Sequence, residues 1–324
     1  MGTTNHIPEF VQRIRNGDTR ALSRAISAVE DHTPESTALL KELFPHTGNA
    51  VLLGFTGSPG AGKSTLVDQV ARIYRREGKT VGIVAVDPTS PFSGGAILGD
   101  RIRMSSHHAD SGIFIRSMAT RGSLGGLAST TADVATVLDA SGRDVVMIET
   151  VGVGQDEVDI VRLADVTIVV LVPGMGDDVQ TIKAGIMEIA DIFIINKADR
   201  DGAERVEREI RALQSLAMRK DNWTPPIVKT VASNGTGIEE VVAAIENYRT
   251  FLEKNDRARD RRIENWRGRI AEMLRDALFQ RVLSYYLSES EAARYAAEVA
   301  DHRRDPYSLV EKIVEGLGSP HERN

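Results

Sequence analysis

Hydrophobic positions fall into two textures along the chain. Over residues 8–45, Leu22, Ile26, Val29, Leu39, Leu40 and Leu43 recur at helical spacing among polar neighbours, which predicts amphipathic helices with those positions inward. From about 50 to 250, short apolar runs at 51–55, 81–86, 113–115, 145–148, 166–172, 192–195 and 227–231 alternate with helical stretches. Runs that are apolar nearly throughout, each separated from the next by a helix, are what a parallel sheet buried on both faces requires. The expected fold class is α/β, with a mostly parallel sheet covered by helices on both faces. In such sheets ligands lie beyond the carboxyl ends of the strands, so chemistry is expected in the residues directly after each run.

Past residue 251 the strand pattern ends. Residues 254–282 predict one long helix, with Ile263, Trp266, Ile270, Met273, Leu274 and Ala277 spaced by three and four. Between 256 and 276, seven Arg stand against five Asp plus Glu, so the helix is laced with charge and keeps only a narrow apolar seam. Such a helix either packs on its own sheet or protrudes as a dimer arm; a seam too narrow to cover a sheet face favours the arm. The organisation expected is a helical region over 1–48, an α/β domain over 49–250 and a helical extension over 251–324.

Composition narrows the field by exclusion. The 324 residues are 41% hydrophobic and 27% charged, a balance that builds a globular core. Lys plus Arg total 40 against 46 Asp plus Glu, a net charge of −6 with a pI near 5.7. An acidic surface argues against nucleic acid and against anionic membranes as partners. Without cysteine, the chain forms no disulfide, thiolate metal site or thiol nucleophile. The polar stretch 1–20 lacks the apolar core of a signal peptide, and His6 stands where a myristoylation signal wants Ser or Thr. The longest apolar run stops at Pro173, far short of the ~20 residues that span a bilayer, so a cytoplasmic location is expected.

The chemistry starts after the first strand, where Gly57, Ser58, Pro59, Gly60, Ala61, Gly62, Lys63, Ser64 and Thr65 spell G-x-x-x-x-G-K-S before a helical stretch. Glycines at those positions let the backbone wrap a phosphate with N–H groups at a helix N-terminus. Lys63 supplies a point charge to the β- and γ-phosphates, and the Ser64 hydroxyl can ligate Mg2+. A metal needs carboxylates: Asp87 follows the second run and Glu149 the fourth, both at the carboxyl edge of the sheet. Either acid alone is as consistent with a helix cap as with a metal site; two beside a phosphate loop favour the metal. Glu149-Thr150-Val151-Gly152 has the shape of a Walker-B segment, with Gly152 placed to give its amide to the γ-phosphate.

After the run 192–195 comes Asn196-Lys197-Ala198-Asp199, an N-K-x-D that suits guanine. Asp199 can accept from both the ring N–H and the exocyclic amine, while the Lys197 stem covers the ring and Asn196 braces the loops. Adenine offers neither donor, which costs selectivity on the order of 10³-fold or more. Ala232, Ser233 and Asn234, after the last run, are placed to give the guanine carbonyl a backbone N–H. The ligand expected is therefore GTP or GDP with Mg2+.

Three longer blocks are more specific. They are the stretch from Asp87 through Pro88, Thr89, Ser90 and Pro91 to Asp100-Arg101, then Glu149-Thr150-Val151-Gly152-Val153-Gly154-Gln155, then Pro173-Gly174-Met175-Gly176-Asp177-Asp178 on to Gln180 and Lys183. They resemble the methylmalonyl-CoA mutase-associated GTPases, the MeaB group once also labelled ArgK and read as a transport-system kinase. The resemblance covers nearly the whole chain. It implies a P-loop GTPase that works as a homodimer and chaperones an adenosylcobalamin-dependent mutase, gating cofactor loading and protecting or rescuing that enzyme. It also implies that Asp87 and Asp100 are switch acids near Mg2+, that Glu149 is the remaining acid, and that 173–183 is a switch answering to the mutase. The dimer arm would fall on the C-terminal helix.

No Gln follows Gly152 where small G proteins place the one that orients water, so weak intrinsic hydrolysis is expected, with Gln180 and Lys183 or a partner completing the site. Cobalamin itself is not an expected ligand, because none of the seven histidines sits in the D-x-H-x-x-G run of base-off sites. His107 and His108 read as a solvated pair, since neighbours on a helix point about 100° apart. The rival readings are a metal-insertion GTPase, which usually carries Cys or clustered His for its cargo, a small-molecule kinase of the amino-acid transport kind, and a scaffold that binds GTP without turnover.

Overall fold

A computed structural model gives the structure of the chain and describes residues 7–87, 110–119, 126–150, 163–174, 189–216, 219, 221–255, 257–285 and 287–316. Three short helices come first: α1 (Ile7–Arg15), α2 (Thr19–Glu30) and α3 (Ser36–Leu43). Asp18 starts α2 by accepting from the amides of Arg20 and Ala21, both at 3.0 Å, a cap worth about 1 kcal/mol. Leu22, Ile26, Val29, Leu39 and Leu43 are buried as the spacing predicts, and Leu40 is half-buried.

The α/β part runs β1 (Val51–Thr56), α4 (Lys63–Arg76), β2 (Val81–Asp87), β3 (Ile113–Ala119), α5 (Gly126–Ala140), β4 (Val145–Glu149), β5 (Val166–Leu171), β6 (Ile192–Asn196), α6 (Ala203–Leu216), β7 (Ile227–Thr230) and α7 (Ile238–Lys254). The seven strands form one sheet in the order β3-β2-β4-β1-β5-β6-β7, and every pairing is parallel. All seven apolar runs are strands. The third is longer than its three apolar residues, because Arg116 and Ser117 continue it at the sheet edge. Arg116 pairs there with Glu30 and reaches the Ser27 hydroxyl, so a charged residue is accommodated in an edge strand by α2.

Strands β4, β5 and β6 are buried at every position. Alternation sorts their side chains onto two faces. On one face Leu53, Phe55, Met147, Ile168 and Ile194 pack with Leu66, Val70 and Tyr74 of α4 and with Val241, Ile245 and Tyr248 of α7. On the other, Val84, Val146 and Ile148 pack with Val134 and Leu138 of α5 and with the buried positions of α1 to α3. Each fully buried Leu, Ile or Phe contributes roughly 1.5–3 kcal/mol, so the N-terminal helices complete a core rather than decorate it. Asp139 of α5 fixes the approach to β1 by accepting from the amides of Gly48 at 2.6 Å and Ala50 at 2.9 Å.

By packing, the chain divides into two compact units, Met1–Asn265 and Trp266–Asn324. The long C-terminal helix α8 spans Arg257–Tyr285 and is followed by α9 (Glu289–Ala300) and α10 (Pro306–Gly316). It begins three residues later than the sequence predicts, because Lys254 still closes α7. Along α8, Ile263, Trp266, Ile270, Met273, Leu274, Leu278 and Phe279 are all exposed. Arg261 departs from the expected solvated face. It pairs with both oxygens of Asp191, at 3.0 and 2.7 Å, and contacts the Tyr248 hydroxyl, all within the first unit.

Candidate functional site

With β1 in the middle of the sheet, β2, β3 and β4 lie to one side and β5, β6 and β7 to the other. The loop 57–65 leaves β1 where the two halves diverge, the usual place for a ligand crevice. Two of its glycines are obligatory. Gly57 has φ +140°, and a Cβ there would stand 2.1 Å from the carbonyl oxygen of Val170. Gly62 caps α4 with φ +87°, and its Cβ would lie 2.4 Å from the Asn196 side-chain nitrogen. No side chain caps α4, so its first-turn amides and the positive end of its dipole face the loop. Lys63 is buried and arches back over the loop, donating to the carbonyls of Gly57 at 2.5 Å and Ser58 at 3.0 Å.

The Ser64 hydroxyl donates to Glu149 Oε1 at 2.6 Å. A serine from the start of α4 and a carboxylate from the end of β4 therefore converge. Glu149 is 5% exposed, so the arrangement is built in and not a surface encounter. Asp87 closes β2, in register with Ala119 of β3; its side chain lies outside the described residues. Asp100, Gly152, Gln180, Lys183 and the His107–His108 pair also lie outside them. Among the described residues, no three His, Cys, Asp or Glu side chains gather as a metal-binding group.

The N-K-x-D segment 196–199 is tied to the phosphate loop at two points. Asn196, 2% exposed at the end of β6, donates to the Ala61 carbonyl at 2.8 Å. Its oxygen accepts from the Thr230 hydroxyl and from the Ala232 amide, both at 3.1 Å. Lys197 adopts a left-handed conformation with φ +56°, and its ammonium donates to the Gly60 carbonyl at 2.7 Å. Asp199 is exposed beyond them. Ser233 and Asn234 are exposed in a turn closed by the Val231–Thr236 bridge, where the Asn234 side chain accepts from the Thr236 amide at 3.0 Å. The fold thus brings 57–65, Glu149, 196–199 and 232–234 to one edge of the sheet.

Sequence reasoning missed the hydroxyls that brace these groups. Thr230 is fully buried and holds Asn196, while Thr56 and Thr150 hydrogen-bond to each other at 3.1 Å behind the loop and Glu149. A threonine at a strand end is ordinary β-sheet composition, and nothing in the linear pattern distinguishes these three.

Comparisons with known proteins give the family. The family description "Methylmalonyl Co-A mutase-associated GTPase MeaB" matches residues 22–286. A Pyrococcus abyssi protein whose assigned name proposes GTPase activity is 48% identical over 317 residues, covering 96% of this chain and 97% of that one. GTPase ArgK of Escherichia coli is 37% identical over 297 residues, covering 89% of this chain and 88% of that one. The mouse methylmalonic aciduria type A homolog, mitochondrial, is 39% identical over 193 residues, covering 58% of this chain and 46% of that one. Among solved structures, a LAO/AO transport system kinase superposes with a TM-score of 0.73 at 27% identity, covering 98% of this chain and all of that one.

Proposed function

The chain belongs to the methylmalonyl-CoA mutase-associated GTPase family, and from that premise we propose that it is a GTP-driven chaperone of an adenosylcobalamin-dependent acyl-CoA mutase. GTP hydrolysis and guanine-nucleotide binding are the family's activity. The observation that carries the reading onto this chain is the double tie between base segment and phosphate loop, Asn196 to Ala61 and Lys197 to Gly60. A pocket that grips the base also sets the loop that grips the phosphates.

In the proposed cycle, the amides of 57–65 wrap the β-phosphate, and Lys63 leaves the Gly57 and Ser58 carbonyls to meet the β- and γ-oxygens. Asp199 takes both guanine donors, and the turn 232–234 supplies an amide to the guanine carbonyl. The residues fit Mg2+: Ser64 and Glu149, already 2.6 Å apart, offer hard oxygen donors, with Asp87 and Asp100 as further acids. When bound, the ion would neutralise charge on the phosphates. The Gly152 amide would sense the γ-phosphate, and Gln180 and Lys183 would complete the hydrolytic site when the mutase engages. The exposed apolar seam of α8 supports a homodimer through that helix. The acidic surface supports neither nucleic acid nor a membrane as partner, and no described helix is long and apolar enough to cross a bilayer. Action in the cytoplasm accords with this.

A second reading is favoured by one observation, the superposition on a structure titled as a transport-system kinase. The two are separated by the fate of the γ-phosphate. The chain, incubated with γ-labelled GTP, candidate amino acids and a cobalamin-dependent mutase, should release inorganic phosphate, faster with the mutase present, and should bind that mutase differently with a GTP analogue than with GDP. Label transferred to an amino acid, or a mutase without effect on turnover or binding, overturns the chaperone reading.

A further inference from the structure

The hydroxyl pair behind the loop does more than fill space. Thr56 is the last residue of β1 and Thr150 follows β4 directly; their exposures are 0% and 3%. The β1–β4 register pairs Phe55 with Glu149, and the Thr150 amide donates to the Phe55 carbonyl at 3.0 Å, carrying the ladder one step further. At that step the two side chains meet, Oγ1 to Oγ1 at 3.1 Å. Beyond Thr56 the chain turns into the phosphate loop through Gly57; beyond Thr150 it runs to Gly152.

Alternation places the pair on the sheet face of Val146 and Ile148, opposite the face on which Glu149 reaches Ser64. Stability alone does not call for hydroxyls there. Two valines would have the same shape, and replacing both partners of a buried hydrogen bond by apolar isosteres is close to neutral. What a hydroxyl pair adds is direction: it holds both side chains in one rotamer and fixes the end of β4 against the end of β1.

We propose that Thr56 and Thr150 are positioning residues that set the distance between the phosphate loop and the Glu149 carboxylate, and so tune the affinity of the divalent cation bound with GTP. This rests on the guanine-nucleotide reading above. The test measures the Mg2+ concentration that half-saturates binding of a non-hydrolysable fluorescent GTP analogue to the full chain, together with kcat, KM and the thermal midpoint, in wild type, Thr56→Val, Thr150→Val and Thr150→Ser.

Each valine variant should raise the half-saturating Mg2+ concentration about five- to tenfold, the range one lost buried hydrogen bond gives. kcat should fall by a similar factor with KM nearly unchanged, and Thr150→Ser should behave as wild type. A lowered thermal midpoint with an unchanged Mg2+ dependence overturns the proposal, as does failure of Thr150→Ser to restore it. Should Thr150→Val not fold, Thr56→Val cuts the same bond from the other side and must show the Mg2+ shift. Wild-type protein that prefers the ATP analogue overturns the nucleotide reading and this proposal with it, whereas intact GTP preference with unshifted variants overturns this proposal alone.

Discussion

Asn196→Ala probes the joint between the end of β6, the phosphate loop and the turn 232–234. The side chain makes three buried hydrogen bonds, to the Ala61 carbonyl at 2.8 Å and from the Thr230 hydroxyl and Ala232 amide at 3.1 Å. Truncation leaves one acceptor and two donors without their partner. Each such group costs about 1–3 kcal/mol when buried, and a water entering the space left by the amide recovers part of that. A net loss of about 3 kcal/mol is expected, a large share of the roughly 5–15 kcal/mol that holds a typical domain. Because Ala61 lies in the phosphate loop and Ala232 in the turn proposed to meet the base, GDP affinity should fall as well, by at least tenfold. Urea unfolding gives the first quantity and calorimetric titration the second. Asn196→Asp sharpens the test: it keeps the acceptor for Thr230 and Ala232 but sets an oxygen against the Ala61 carbonyl, so GDP binding should suffer while the turn 232–234 stays closed. A stability loss under about 1 kcal/mol with unchanged GDP affinity would refute the reasoning.

Two further outcomes follow from single contacts. Gly57→Ala puts a Cβ 2.1 Å from a backbone oxygen of β5, at a φ of +140° that side chains rarely adopt, so the loop must shift and GDP affinity should drop on the order of a hundredfold or more; binding within threefold of wild type would contradict the geometry. The Thr80 amide, donating to Asp144 at 2.6 Å, leads the interactions that hold that carboxyl below the usual range, against the opposing effect of burial. A depressed carboxyl stabilises above its unfolded value near pH 4 and loses that contribution as pH falls through the folded value. The stability gap between wild type and Asp144→Asn should therefore be present at pH 7 and close below about pH 4; a gap that widens in acid would reverse the assignment.

The sheet was readable because five of its strands are apolar nearly end to end, the mark of burial on both faces, while the edge strand β7 carries an exposed Lys229. The third was readable only in part, since Arg116 and Ser117 belong to an edge strand whose neighbour is α2, a contact 86 residues away in sequence. The phosphate loop was readable because its backbone geometry restricts the residue types, with glycine required at 57 and 62. Thr56, Thr150 and Thr230 were not, because their role depends on which strand ends lie side by side. Arg261 was lost among the arginines of a charged helix for the same reason: its partner, Asp191, is 70 residues earlier.

That pair bears on how the site is held. At the amino end of β6 Asp191 is fully buried, and Arg219 and Arg261 both reach it, at 3.3 and 2.7 Å. Burial works against the Arg261 charge, but Asp191, Tyr248 and Asp165 keep its pKa above the usual value. Buried ion pairs seldom add net stability against apolar replacements of the same volume, whereas breaking one costs several kcal/mol, so such a network specifies one geometry. Five residues later the same strand ends in Asn196, the hub of the hydrogen bonds that join the loop 57–65 to the turn 232–234. Every residue of β6 is buried and both ends are tied by hydrogen bonds. The first turns of α8 and the segment 196–199 are thus fixed to opposite ends of one strut about 17 Å long. Backbone pairing and buried ion pairs together hold the two anchors at one separation.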